Sequence, residues 1–228
     1  MNGAGDEMGR RSQHTPEQLR TLIVDAARRI VETNGIAKLS AREIARAIGY
    51  APGTLYNMFE NLDEILLRVE LQVLEELDKE LERALNGASG SSAILRYATT
   101  YASFAHARSH LWRLLNEHQP TDPSNLPQWY VAAIQAPIVR LEGPLSTALD
   151  ANDQVALRRA ARTLWRMIHG MTMLTTSSKL GPSEGSEAEA QIKELVGNYL
   201  SGLIAQQGKR PVSGRSVAKT DGHLSQPR

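Results

Sequence analysis

The 228-residue chain contains no cysteine, which excludes disulfides and thiolate zinc sites. No apolar run approaches the ~20 residues needed to span a bilayer, and the N-terminus carries no apolar segment of the signal-peptide kind. A cytoplasmic location is therefore expected. No stretch alternates apolar and polar residues as strands do, so the expected fold is all-α. The motifs of enzyme chemistry are missing too. Serines are numerous, but none sits in a nucleophile-elbow context, and no phosphate-binding Gly loop appears. His106 and His110 stand at the i, i+4 spacing of helical metal ligands, with Glu117 and His118 nearby. No Glu follows His106, and Arg108 puts a cation between the pair, so this segment reads as a solvated helix face. No metal, no cofactor and no enzymatic activity is expected.

What is present is concentrated between Ser40 and Phe59, SAREIARAIGYAPGTLYNMF. Ser40 is placed to cap a first short helix, and Glu43 three residues on would complete a capping box. Ile44, Ala45 and Ile48 fall on one face, and Gly49 turns the chain where a positive φ is needed. A second helix starts at Pro52, suited to a first helical position because its missing N–H has no partner there. Leu55, Met58 and Phe59 make its buried side, while Gly53, Asn57 and Glu60 point away, with Thr54 and Tyr56 on the flanks. Two short helices joined by a Gly-containing turn have the geometry that places a second helix in a DNA major groove. The same pattern by itself also fits an ordinary helical hairpin whose small polar residues face solvent. Gly53 allows close approach, Thr54 and Asn57 can bond phosphates or base edges, and Tyr56 can reach a phosphate or a thymine methyl. Upstream, Thr15-Pro16-Glu17-Gln18 opens a helix with a capping box, and Leu19, Leu22, Ile23, Ala26, Ala27, Ile30 and Val31 repeat at helical spacing up to Asn34-Gly35.

The run IARAIGYAPGTLYNMFENLDEIL resembles the helix-turn-helix signature of the TetR family of bacterial transcriptional regulators. The likeness rests on Ile44, Ala45, Ile48, Gly49, Gly53, Thr54, Leu55, Tyr56, Phe59 and the segment Asp63-Glu64-Ile65-Leu66. It implies that Ser40, Arg42, Gly53, Thr54, Leu55, Tyr56 and Asn57 form the DNA-contacting set. Three positions depart from the family pattern. Ala51 stands where Ser or Thr is usual, Met58 where His is common, and Leu62 where Lys is common.

Charge follows the same division. From Arg10 to Phe59, Arg10, Arg11, Arg20, Arg28, Arg29, Lys38, Arg42 and Arg46 face only Glu17, Asp25, Glu32 and Glu43, a net of +4. Residues 60–206 carry thirteen bases and eighteen acids, net −5, and the last 22 residues five bases and one acid. A basic head on an acidic body suits a polyanion-binding end.

The expected organisation is a flexible arm (1–14), a helix-turn-helix domain (15–61), a helical ligand-binding and dimerisation domain (62–206) and a disordered basic tail (207–228). In the second domain, helices are expected from Asn61 to Leu85, from about Ala93, through Leu111 to His118, and from Gln128 to Asp150. The last of these should kink or split at Pro137 and Gly143-Pro144. A long helix from Asp153 to Leu180, a linker GPSEGS and a final helix to Gln206 follow. The final helix carries an apolar stripe of Ile192, Leu195, Val196, Tyr199, Leu200, Leu203 and Ile204. Periodicity alone allows it to dock on its own domain or on a partner. The TetR resemblance implies a homodimer through the last two long helices, pairing Leu164, Ile168 and Met171 with Leu195, Val196, Tyr199, Leu200 and Leu203. Leu164–Leu174, LWRMIHGMTML, also resembles a Trp-x-x-x-His-Gly stretch of one subgroup of the family's ligand domains. The candidate effector pocket draws on Tyr97, Tyr101, Phe104, Trp112, Trp129, Trp165, Met167 and His169, with Arg113, Arg166 or His169 to fix a polar end of an uncharged or weakly polar ligand. The expected function is a DNA-binding regulator, a repressor released from double-stranded operator DNA by that ligand. The alternative is a helical dimer that binds DNA as an interaction or architectural module without an effector.

Overall fold

The computed structural model describes residues 14–149, 153–176 and 185–207. These form ten α-helices and a 3-10 turn, with no strand among the described residues. Helix α1 (Pro16–Asn34) opens on the reciprocal Thr15–Gln18 capping box and ends at Gly35, which has no Cβ to clash at its φ of 76°. A 3-10 turn (Ile36–Lys38) leads to α2 (Ala41–Ile48). The Ser40 hydroxyl caps α2 by accepting the Glu43 N–H at 3.2 Å. The Glu43 carboxylate turns to Arg46 instead of closing the box. Gly49 takes the left-handed conformation (φ 74°, ψ 29°) that redirects the chain.

Helix α3 (Pro52–Tyr56) is shorter than expected. With Ala51 at the cap, no side chain bonds its first turn. The segment after Tyr56 is a turn, yet Phe59 N–H still reaches Leu55 O at 2.8 Å, so Leu55 and Phe59 stay in the core. Leu19, Ile23, Ala27 and Val31 of α1 close over Ile44, Ala45, Leu55 and Phe59. Each fully buried apolar side chain contributes about 1.5–3 kcal/mol.

Helix α4 (Leu62–Leu85) is the shared pillar. Asn61 Oδ1 caps it from Glu64 N–H, while the Glu64 carboxylate accepts the N–H of Glu60, one residue short of a capping box. Its Ile65, Val69, Val73, Leu77 and Leu81 continue the core, and it packs on α1, on α5 (Gly90–Ala107), on α6 (Ser109–Glu117) and on α7 (Gln128–Val139). Polar contacts tie α1 to this pillar. Arg28 bridges Glu76 at 2.7 Å and Glu32 at 3.0 Å, and Arg108 reaches Glu80 at 2.8 Å and Glu76 at 3.5 Å. His110 Nδ1–H donates to Glu32 O at 2.7 Å.

The expected break in the Gln128–Asp150 segment falls at Arg140–Leu141, between α7 and α8 (Glu142–Leu149). Pro137 lies in the last turn of α7, and its carbonyl accepts the buried Tyr97 hydroxyl at 2.8 Å. Pro144 stands in the first turn of α8, where an N–H has no intrahelical partner. Helix α9 (Gln154–Thr175) ends before the expected Leu180, which lies outside the described residues with the first part of the linker. Gly185 and Ser186, expected in that linker, open α10 (Gly185–Gln207). The tail from residue 208 and the arm up to residue 13 lie outside the described residues.

The fold corrects part of the dimer set. Helix α10 docks on α5, α8 and α9 of its own chain, so Val196 (0 % exposed) and Leu200 (3 %) are core, as are Leu164 and Ile168 of α9. Periodicity marks an apolar stripe but not its partner, and here the chain's own α5 takes it. Met171, Leu195, Tyr199 and Leu203 remain half-buried at the rim.

Candidate nucleic-acid interface and effector cavity

The two short helices present a polar edge. Gly53, Tyr56 and Asn57 are exposed and Thr54 half-buried; Tyr56 is 56 % exposed, uncommon for so large a side chain. Lys38 and Arg42 stand exposed on the same unit, and Arg46 is exposed but bound to Glu43. Leu55, grouped with the DNA-contacting residues from the sequence, is 1 % exposed. It faces the core, and its side chain has no surface to offer DNA. Ser40 is half-buried and already engaged as the α2 cap. Met58 and Leu62 are half-buried against the core, where the family's usual His and Lys would stand. Arg20 lies over the Phe59 ring at 5.0 Å and holds Glu64 at 3.8 Å, joining this unit to α4.

The body holds a cavity of about 160 Å³ between α4, α5, α6, α7 and α9, with Leu74, Leu77, Tyr101, Trp112, Tyr130 and Trp165 in its wall. Four expected pocket residues meet there: Tyr101, Trp112, Trp165 and His169. Tyr97, Phe104, Trp129 and Met167 do not line it. Tyr97 lies behind the wall, stacked on Tyr101. Phe104 is core beneath Arg108, and Trp129 packs outside on Tyr130 and Arg68. The expected polar anchors Arg113 and Arg166 are absent from the wall: Arg113 pairs with Glu117 on the surface, and Arg166 lines an outer groove of α9. Larger grooves, such as one of about 610 Å³ between α9 and α10, run along that outer surface and include the 75 % exposed Val155.

The chemistry of the cavity wall is lopsided. Tyr101 and His169 Nδ1 share a hydrogen bond of 2.9 Å, and His169 stacks on Trp165 at 4.9 Å. Burial lowers the His169 pKa below the usual imidazole value, favouring the neutral ring. Burial raises the Tyr101 pKa, partly offset by the neighbouring Trp165 indole. The Trp112 indole nitrogen is sealed from solvent and makes no hydrogen bond. A buried polar group left unpaired costs about 1–3 kcal/mol.

A second cluster, not expected from the sequence, joins this wall to the first turn of α4. The Tyr130 hydroxyl, at the cavity, donates to Glu70, a carboxylate only 1 % exposed. Glu70 accepts from His118 Nδ1 at 2.6 Å, and His118 Nε2 reaches Asp63 at 3.4 Å in the first turn of α4. Thr121 completes Asp63 through its N–H at 2.9 Å and its hydroxyl at 2.6 Å. Burial opposes the charged form of His118, but Glu70 and Asp63 together outweigh it and raise its pKa. Hydrogen bonds from Thr121 lower that of Asp63. Asp63 and Glu70, seven apart on α4, were the available sequence signal. His106 and His110 do not converge: His106 Nδ1–H bonds Ala102 O at 2.9 Å, and His110 turns to α1. Among the described residues no group of three or more acidic or His side chains forms a metal site.

A three-helix unit with an exposed polar second helix, seated on a helical body with a pocket among its helices, defines a helix-turn-helix DNA-binding protein with a sensor-like domain. Residues 23–69 match the family model described as bacterial regulatory proteins, tetR family, and residues 94–198 match the tetracyclin repressor-like C-terminal domain. The chain belongs to the TetR family of DNA-binding transcriptional regulators. Solved structures share the fold. A protein of unknown function from Rhodococcus sp. RHA1 is 22 % identical with a TM-score of 0.65, covering 86 % of this chain and 98 % of its own. The TetR family regulator PfmR from Thermus thermophilus is 20 % identical, TM-score 0.55, covering 80 % and 97 %. The transcriptional regulator FadR from Bacillus subtilis, solved with stearoyl-CoA, is 20 % identical, TM-score 0.54, covering 81 % and 97 %. Among the described residues no helix is long and apolar enough to cross a membrane.

Proposed function

We propose that the protein is a homodimeric repressor released from its operator by a small, uncharged or weakly polar ligand. The observation that carries this reading is the cavity walled by Tyr101, Trp112, Trp165 and His169, linked through Tyr130, Glu70 and His118 to Asp63 at the start of α4. FadR, of the same fold, was solved with an acyl-CoA ligand, which supports a small-molecule role for such a body. Gly53, Thr54, Tyr56 and Asn57 would meet the DNA, with Arg42 and Lys38 toward phosphates. The outer faces of α9 and α10 would meet the partner. Val155, Leu174 (54 % exposed) and Ile204 (47 %) lie there, beside Leu195, Tyr199 and Leu203.

A ligand shifts a two-state equilibrium only by its differential affinity for the two states. Displacement of Tyr130 by a bound ligand would disturb Glu70 and His118, and through Asp63 the start of α4. Because α4 also grips α1 through Glu76 and Arg28, its movement would re-space the two recognition helices. The test is fluorescence anisotropy with DNA selected from a random pool, followed by a screen for compounds that release it. A releasing compound should lose its effect on Tyr130→Phe, which keeps the ring and removes the hydroxyl. Full release from that variant would remove the Tyr130–Glu70 route from the account.

A further inference from the structure

Beside its apolar side chains the cavity wall carries Tyr101, Trp112, Asn116, Tyr130, Trp165 and His169. Trp112 is 2 % exposed, and its N–H is buried without a partner. The Trp165 indole instead faces the Tyr101 hydroxyl and lowers its pKa by hydrogen bonding. Among the described residues no Lys or Arg lines the cavity, and the Glu70 carboxylate stands immediately behind Tyr130. A carboxylate or phosphate entering there would be desolvated without a counter-charge and would face Glu70. The neutral His169 supplies no compensating charge. Size narrows the class further. The space is about 160 Å³, and an apolar cavity of ~150 Å³ takes up benzene.

We infer that the cavity takes an uncharged, ring-sized molecule bearing a carbonyl-type oxygen that accepts the Trp112 indole N–H. The inference rests on reading this cavity as the effector site. The apolar remainder of the ligand lies against Leu74, Leu77 and Ile134, and the oxygen turns toward Trp112. The unpaired Trp112 donor discriminates against a hydrocarbon of the same shape, which leaves it unsatisfied.

The experiment uses the full chain labelled with ¹⁵N at the indoles, titrated with acetophenone, ethylbenzene and benzoate. Three indole signals arise from Trp112, Trp129 and Trp165, assigned by single Trp→Phe variants. Acetophenone should move the Trp112 indole proton downfield and perturb Trp165, leaving Trp129 in place. It should bind about tenfold more tightly than ethylbenzene, a margin set by one hydrogen bond, and benzoate should bind more weakly than either. Trp112→Phe should bring acetophenone and ethylbenzene to equal affinity. Should that variant fail to fold, the signal shifts in the parent and the same comparison in Trp165→Phe carry the test. Equal affinity for ethylbenzene, tighter binding of benzoate, or an unmoved Trp112 signal would overturn the acceptor class while leaving the cavity as a ligand site. No response to any of the three would remove the cavity as a site and the inference with it.

Discussion

Replacing Gly53 by alanine adds a single methyl group at the centre of the proposed DNA-facing surface. A Cβ built there meets no heavy atom within 4 Å, so nothing in the protein resists it. Gly53 lies within α3, where alanine is the better helix former by up to about 1 kcal/mol. The folded protein should therefore be unchanged or slightly more stable. DNA binding should respond in the opposite direction. If a phosphate or base edge approaches the Gly53 backbone closely, the methyl group overpacks the contact at a cost of about 1–3 kcal/mol. That corresponds to roughly a 5- to 150-fold loss of affinity. Urea denaturation gives the first quantity and anisotropy with a selected operator the second. A more stable protein that binds operator as tightly as the parent would refute the claim that DNA approaches this face of α3. A destabilised one would refute the reading of Gly53 as free of internal contacts.

Thr54→Ala and Asn57→Ala should each weaken the specific site by about 1–3 kcal/mol per lost base contact without lowering the unfolding midpoint, whereas Leu55→Ala should cost about 2–5 kcal/mol of stability because Leu55 is core; equal midpoints for all three would reverse that assignment. The raised pKa of His118 stabilises the fold fully below the ordinary imidazole value of ~6.5 and loses that contribution as pH rises through the folded value. Urea midpoints across that window should fall in the parent and flatten in the double variant His118→Leu/Glu70→Leu, while His118→Leu alone, leaving Glu70 buried, should cost about 3–5 kcal/mol; an identical pH slope in parent and double variant would rule His118 out as the source. Leu203→Glu at the rim should yield a folded monomer by sedimentation, whereas Leu200→Glu should unfold the chain, since Leu200 is 3 % exposed; a folded dimer from Leu203→Glu would move the interface elsewhere.

The DNA-binding unit was legible in the sequence because its determinants are local. Thr15, Ser40, Gly35 and Gly49 act within a few residues, and the apolar spacing of α1 and α2 suits one core. The end of α3 at Tyr56 is not legible in the sequence, because Asn57 and Met58 follow the same spacing in a turn as they would in a helix. The body was legible as helices but not as contacts. The stripe on α10 could serve either a partner or its own domain, and only the convergence of α5, α8 and α9 buries Val196 and Leu200. The cavity needs five helices at once, so four of the eight residues chosen by chemistry lie off its wall. The Glu70–His118–Asp63 cluster is not legible in the sequence, because a carboxylate on α4 reads as solvated until its partners, far along the chain, are placed.

The central claim is that this protein reads a DNA sequence with α3. It is tested most directly by selecting bound fragments from random DNA with the parent and with Tyr56→Ala/Asn57→Ala. The parent should enrich one motif with twofold symmetry, its half-sites about one helical turn or a multiple apart, with affinity falling steeply as salt rises. The double variant should enrich nothing. Enrichment of the same motif by both proteins, or of no motif by the parent, would contradict the account.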